Sequence, residues 1–306
     1  MDQKFFLEML NEQFQKVEGT KNFQEKDEKD STKQFHLQFL KDNLIEPMTE
    51  PTEKQFIRGK EHELEYTMKG LHSSLAMIYN LFGNNKANIV GDKNIGAGTY
   101  AVEYEKHFQA LKKPAFKKEY TLMDSFLYNE TNKEAVAIEA DMLGWLFNKP
   151  ENLPKNFLNT KKYKDEDIAN TFIGVAKSIM KDSVSKDKDY EANFKHFNAF
   201  LMFEHILAGY NSCREKKPEM KKITLVSCIW ELPLVKNSKA LPEYETVLKE
   251  EHEEFEKFAK LIGPLKALFI NIGTDFNIKY YSYNNFMKLV KLDDKQQKYL
   301  SRYSFE

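Results

Sequence analysis

The spacing of apolar residues changes several times along this chain, and each change predicts an element. Phe5, Leu7, Leu10 and Phe14 recur at helical intervals and predict an amphipathic helix over residues 1–18. Residues 19–33 are dominated by Lys, Glu, Asp and Gln and predict a solvated linker. A second helical segment is expected over Phe35–Asn43, before Pro47 and Pro51. From Glu61 the pattern is again helical through Leu71–Phe82, with Gly83 as the stop. Gly91–Gly98 reads as a polar loop and Tyr100–Leu111 as a short helix. Two strand-like runs follow, Glu119–Tyr128 and Glu134–Met142, joined by the turn-rich Asn129-Glu130-Thr131-Asn132. Residues 165–182 predict a helix. Tyr190–Tyr210 predicts a long one, apolar on most sides through Phe194, Phe197, Phe200, Phe203 and Leu207. Ile223–Trp230 is a continuous apolar run, expected of a strand buried on both faces. An acidic helix over Glu243–Leu261 precedes a tail with a strand at Leu268–Ile272 and helices at Phe286–Val290 and Asp294–Tyr303. The order implies an α+β or α/β core with helical additions at both ends.

The hairpin breaks its own pattern in an informative way. Asp124 interrupts Tyr-Thr-Leu-Met-Asp-Ser-Phe-Leu-Tyr, and Glu139 and Asp141 interrupt Ala-Val-Ala-Ile-Glu-Ala-Asp-Met-Leu. Strand alternation puts Glu139 and Asp141 on one face and Val136, Ile138 and Ala140 on the other. Carboxylates gathered at the end of a buried hairpin repel one another and are costly to desolvate. A divalent cation relieves both penalties, and magnesium, an oxygen-seeking ion that keeps several waters, is the expected one. Glu103 and Glu105, on the predicted helix before the hairpin, are placed to reach the same ion. The plainer reading is that Asp124 and Glu139 mark strand ends where solvent begins. Spacing alone supports both.

Composition narrows the field less. The 306 residues carry a net charge of −1 with 30% charged residues, so there is no global basic field. A nuclease needs only a local one, and Lys112, Lys113, Lys117, Lys118, Lys161, Lys162 and Lys164 flank the hairpin as candidate phosphate contacts. With 24 Phe and 15 Tyr the chain is too aromatic to be disordered. Cys213 and Cys228 form neither a disulfide framework nor a metal-ligand spacing, as expected in a reducing compartment. The start is too short and acidic for a secretory signal and no run spans a bilayer, so a cytoplasmic protein without membrane association is expected. Gly91–Gly98 lacks the Gly-Lys-Ser/Thr end of a phosphate loop. His252 lacks the second histidine of a zinc-protease helix, and His196 and His205 read as packed or half-exposed side chains.

The layout resembles the PD-(D/E)XK nuclease superfamily, in which an Asp on one strand and a Glu-x-Lys on the next bind the metal. Leu71-His72-Ser73-Ser74-Leu75-Ala76 with Asn80-Leu81-Phe82-Gly83 is similar to the Ser-Ser-Gln-Ala…Asn-Phe signature of a bacterial group of restriction endonuclease-like proteins. The ending Gln297-Lys298-Tyr299-Leu300-Ser301-Arg302-Tyr303 resembles that group's ending. Each motif is short, and their order over Leu71–Tyr303 carries the likeness.

The resemblance implies an α+β, restriction-endonuclease-like mixed sheet: a core over residues 70–235, an N-terminal helical extension over 1–69 and a C-terminal elaboration over 236–306. It implies a Mg2+-dependent endodeoxyribonuclease, with Mn2+ as a substitute, acting on double-stranded DNA in restriction or defence and leaving a 5′-phosphate and a 3′-hydroxyl. Asp124, Glu139 and Glu103 would bind metal, and Asp124, Glu139, Asp141 and Glu105 would form the catalytic set. Cleavage of both strands would suit a homodimer, although no segment marks an interface. Two departures stand out: Leu75 replaces the signature Gln, and Asp141 replaces the motif Lys. The replacement charge could come from Lys133, Lys149 or Lys195. Asp141 fits either a carboxylate that serves in catalysis or an inactive nuclease fold that binds DNA or a protein. RNA or another phosphodiester is the third substrate reading.

Overall fold

A computed structural model describes residues 1–25, 32–58, 63–112, 120–184, 189–232 and 241–305. Its strands are β1 (Lys86–Ile89), β2 (Gly98–Gln109), β3 (Tyr120–Asn129), β4 (Glu134–Asp141), β5 (Met180–Val184), β6 (Tyr190–Ala192), β7 (Lys222–Ile229) and β8 (Asp275–Ser282). Its helices are α1 (Gln3–Glu18), α2 (Glu50–Arg58), α3 (Ser74–Phe82), α4 (Gly144–Phe147), α5 (Glu166–Ile179), α6 (Ala199–Glu215), α7 (Leu241–Leu261), α8 (Gly263–Asn271), α9 (Tyr283–Met287) and α10 (Asp294–Ser304). The architecture is α+β. A mixed six-stranded sheet runs in the order β1-β2-β3-β4-β7-β8, and β5 and β6 form a separate ribbon. β1 through β4 pair antiparallel as a meander, whereas β4–β7 and β7–β8 are parallel.

The meander turns at residues 129–134, where the Asn129 side chain accepts the Asn132 N–H and Lys133 takes a left-handed φ of 53°. β4 then has two buried faces. Val136, Ile138 and Ala140 join the core that also contains α1, α3 and α10, while Ala135 and Ala137 join the core built by α5, α6 and α8. Alanines on the second side let α6 lie close to the sheet. β7 is buried from Ile223 to Ile229, as a central parallel strand must be.

Several elements differ from the sequence expectation. Tyr100–Leu111 is not a helix but most of β2, with Tyr100, Val102 and Tyr104 buried at period two; Glu103 and Glu105 are strand residues. Phe35–Asn43 is broken into two 3-10 turns, Lys33–Phe35 and Leu40–Asn43. Pro51 does not break the chain but lies in the first turn of α2, where a backbone N–H has no helical acceptor and the donor that proline lacks is not missed. The helix expected from Glu61 begins only at Ser74, capped by the Ser73 hydroxyl. The long helix starts at Ala199, with Asn198 as its cap, and Tyr190–Ala192 is strand. Leu268–Ile272 lies in and just after α8, and the strand of that region is β8. No described helix is long and apolar enough to cross a membrane.

Candidate functional site

The β3–β4 ladder runs from Asn129↔Glu134 to Ser125↔Ile138 and then stops. Just past that point the Asp124 carboxylate, 8% exposed, accepts the Ala140 backbone N–H through Oδ2 at 2.7 Å. A side chain thus takes a ladder donor, and the two strands part around a carboxylate. On the other flank of β3, Glu105 stands opposite Asp124, since Tyr104↔Ser125 and Lys106↔Met123 bracket the pair. Glu105 is buried and has a φ of 44°. A left-handed non-glycine residue inside a strand costs about 1–2 kcal/mol, and such strain is typically found where geometry serves a function.

The opened strands border a cavity of about 460 Å³ lined by Glu105, Asp124, Glu139 and Asp141 on the sheet side. Each of these four carboxylates reaches it differently. On β4, Glu139 Oε2 lies 2.9 Å from Nε2 of His205, a fully buried side chain on α6. The other ring nitrogen of His205 lies 2.7 Å from the Thr121 hydroxyl on β3. Asp141 caps the chain after β4, accepting the Gly144 N–H through Oδ1 at 2.5 Å. Burial pushes the Asp141 carboxyl up to about 6, although the Gly144, Trp145 and Leu143 amides pull the other way. Position 144 must be glycine, because a Cβ there would sit 2.5 Å from Asp141 Oδ2.

The opposite wall comes from residues before the meander. Ser73 and Ser74, at the N-terminus of α3, line the cavity, and Ser74 Oγ accepts the Met142 N–H at 3.1 Å. His36, Glu63, Tyr66, Thr67 and His72 complete the wall. The His36 ring packs 4.5 Å from Tyr66 and 5.5 Å from His72, centroid to centroid. Asn43 holds the turn beneath them by donating to the Met68 and Gly70 carbonyls.

Of the residues singled out in the sequence, the structure therefore gathers Glu105, Asp124, Glu139 and Asp141. Glu103 lies on β2 outside the cavity, ion-paired with Lys106. Lys112 pairs with Glu166 and Lys164 with Glu215, and the 112 backbone joins the turn at Thr160–Lys162; neither these lysines nor Lys161 and Lys162 line the cavity. Lys113, Lys117 and Lys118 lie outside the described residues. Lys133 is at the turn end of β4, whereas Asp141 closes the other end. Lys149 and Lys195 line a second cavity, with Lys181 and Glu191, and Lys195 pairs with Glu250.

The histidines were the part sequence reasoning missed. His205 falls on an otherwise apolar helix, and a buried imidazole needs hydrogen-bond partners. That demand was a legible signal, but not the identity of the partner. His36 and His72 come from a segment with no regular periodicity.

A further acidic group lies at the C-terminal ends of the parallel strands. Tyr280 O–H donates to Glu231 Oε1 at 2.7 Å, and His252 Nε2 lies 3.0 Å from the same oxygen. Glu251, beside His252 on α7, is 2% exposed, and its Oε2 has no hydrogen-bond partner among the described residues. Burial, reinforced by Glu254 and Asp141, pushes its carboxyl up to about 8.

Among the described residues no group of three or more His, Cys, Asp or Glu is arranged to hold a metal ion. The oxygen donors that border the cavity from the sheet are the carboxylates of Glu105, Asp124, Glu139 and Asp141. No family model, curated protein or solved structure matches the chain.

Proposed function

We propose that the protein is a magnesium-dependent endodeoxyribonuclease with a PD-(D/E)XK-like core, hydrolysing phosphodiesters of double-stranded DNA. The observation that carries this reading is the parting of β3 and β4 at Asp124, which exposes Asp124 and Glu139 to one cavity together with Glu105. The Ser73–Ser74 end of α3 and the carboxylates of β3 and β4, the segments that carry the resemblance, border this same cavity.

In this reading Asp124 and Glu139 hold the cation, with Glu105 beside them; manganese would serve in its place. When bound, the ion supplies charge to the phosphate and an acidified water. Asp124 is kept oriented by the Ala140 N–H and Glu139 by His205. The Ser73–Ser74 end of α3 offers backbone N–H groups and a favourable dipole to a phosphate oxygen. His36, Tyr66 and His72 enclose the opposite side and limit water. A role in restriction or defence, with cleavage by a homodimer, follows from the resemblance alone.

One observation favours a second reading, an inactive nuclease fold that binds DNA or a protein. At the position of the motif lysine, Asp141 is committed to backbone amides after β4. Cleavage of supercoiled and linear duplex DNA with Mg2+ or Mn2+ separates the two. The nuclease reading expects metal-dependent nicking that Asp124→Ala and Glu139→Ala each lower by about 10³-fold or more, roughly 4 kcal/mol of barrier. Binding in a gel shift without cleavage under any metal would leave the second reading.

A further inference from the structure

Among the cavity carboxylates, Glu139 is bonded to an imidazole, and that imidazole is sealed. His205 is 1% exposed and sits on the sheet-facing side of α6, among Met202, Phe203, Ile206 and Ala208. Its two ring nitrogens meet Glu139 Oε2 at 2.9 Å and Thr121 Oγ1 at 2.7 Å. An ionised carboxylate only accepts, so the proton between His205 and Glu139 belongs to Nε2. In the neutral ring Nδ1 is then the acceptor, and the Thr121 hydroxyl donates to it. The Glu139 carboxylate thus fixes the tautomer, and the Thr121 hydroxyl, able to donate or accept, completes the bonding of the ring. The opposite tautomer would turn a ring lone pair toward the carboxylate.

These groups span three elements: Thr121 on β3, Glu139 on β4 and His205 on α6. The bridge therefore lies across the two strands that part at Asp124, at the level of the cavity. A glutamate has three rotatable bonds, and fixing one oxygen removes much of the freedom that a cation would otherwise have to overcome. Hydrogen-bond partners of ligating groups commonly set metal affinity in this way.

We infer that His205 is a positioning residue for the Glu139 carboxylate as a divalent-cation ligand, with Thr121 bonded to the other ring nitrogen and fixing the plane of the imidazole. The inference rests on the metal-dependent reading of the site. It assigns His205 no contact with substrate.

The test is Mn2+ binding to the full-length chain, followed by the loss of free-ion EPR signal, with thermal unfolding recorded in parallel. His205→Leu removes the donor and should weaken Mn2+ binding about 10- to 100-fold. His205→Gln places an amide N–H near the lost Nε2–H and should restore affinity to within about threefold of wild type, a rescue that packing alone would not produce. Thr121→Val keeps the shape of the threonine and removes the bond to Nδ1 that orients the ring; it should weaken binding by about threefold to tenfold with little change in unfolding temperature. His252→Leu, at the histidine–glutamate pair with Glu231, should leave Mn2+ binding unchanged. If His205→Leu does not fold, the Gln and Val variants carry the comparison. Wild type that binds Mn2+ while Thr121→Val and the His205 variants bind equally well overturns the positioning role and leaves the nuclease reading intact. Wild type that binds no Mn2+ overturns both.

Discussion

Two histidine–glutamate pairs sit on this sheet, and they differ mainly in where water can reach. His205–Glu139 spans α6 and β4, with side-chain exposures of 0% and 21%. His252–Glu231 spans α7 and the end of β7, at 45% and 26%. Both have hydrogen-bonding distances near 3 Å, and both have a hydroxyl as third member, Thr121 in one and Tyr280 in the other. A bond of that length is worth little in water and more where the imidazole cannot turn to solvent. The same chemistry therefore makes a rigid bridge at the cavity and a loose, exchangeable contact at the strand ends.

The contrast is broken most severely at the carboxylates. Glu139→Gln keeps the size of the side chain but removes its charge; under the proposed nuclease reading it should lower metal-dependent cleavage about 10³-fold, equivalent to roughly 4 kcal/mol. Glu231→Gln should leave the rate within about twofold. Equal losses from both variants would mean that the site extends along the sheet to the second pair.

Comparable in size is the effect at Glu251, whose carboxyl shares a Coulombic field with Asp141. Its carboxyl titrates at about 8 in the folded chain against an ordinary value of 4.5. Between those values the folded chain holds a proton that the unfolded chain has lost, so stability falls as pH rises from about 4.5 to 8. Glu251→Gln removes that penalty. It should be level with wild type near pH 4.5 and more stable at pH 8.5 by about 4–5 kcal/mol, since each tenfold change in proton affinity is worth roughly 1.4 kcal/mol. Urea denaturation at the two pH values reads the difference directly. A constant offset would show that the group is not titrating.

Asp141 sharpens the comparison at smaller cost, because its partners are backbone amides. Asp141→Ala strips an acceptor from Gly144 N–H and should cost about 1–2 kcal/mol, the usual value of a lost cap. Asp141→Asn keeps a carbonyl oxygen for that amide and removes a buried charge, so it should unfold within about 0.5 kcal/mol of wild type. If the Asp141→Asn variant also cleaves DNA normally, the carboxylate at the motif-lysine position is structural only.

What the sequence could disclose follows the range of the interactions. The β3–β4 hairpin was legible because alternation is local, and Glu139 and Asp141 emerged as a facing pair without any tertiary knowledge. β7 was legible from Ile223–Ile229 for the same reason. β2 was misread because Glu103, Glu105 and Lys106 dilute its alternation; its helical look dissolves once Tyr100, Val102 and Tyr104 are seen to share one face. α2 was hidden by Pro51, whose position in a first turn is harmless. Asp124 came out of the sequence as an intruder in a strand, but its bond to the Ala140 N–H depends on how two strands separate. His205 and Glu139 are 66 positions apart, and only the packing of α6 on the sheet brings them together. His36 and His72 reach the cavity through turns with no repeating pattern to read.

The smallest effect should come from the open pair. Tyr280 O–H reaches Glu231 Oε1 directly at 2.7 Å, so removing His252 leaves the carboxylate with a donor. The imidazole also meets the Tyr280 ring edge to face at 4.6 Å, an aromatic contact worth at most about 1 kcal/mol. A half-exposed ion pair adds roughly 0–1 kcal/mol and is screened by salt. His252→Ala should therefore cost about 0.5–1 kcal/mol by denaturation at low salt, and less at about 0.5 M salt, where the Debye length is shorter. A salt-independent loss above about 2 kcal/mol would contradict the premise of the comparison. Water access would then not be what separates the two pairs, and the rigidity assigned to His205–Glu139 would need another source than its burial.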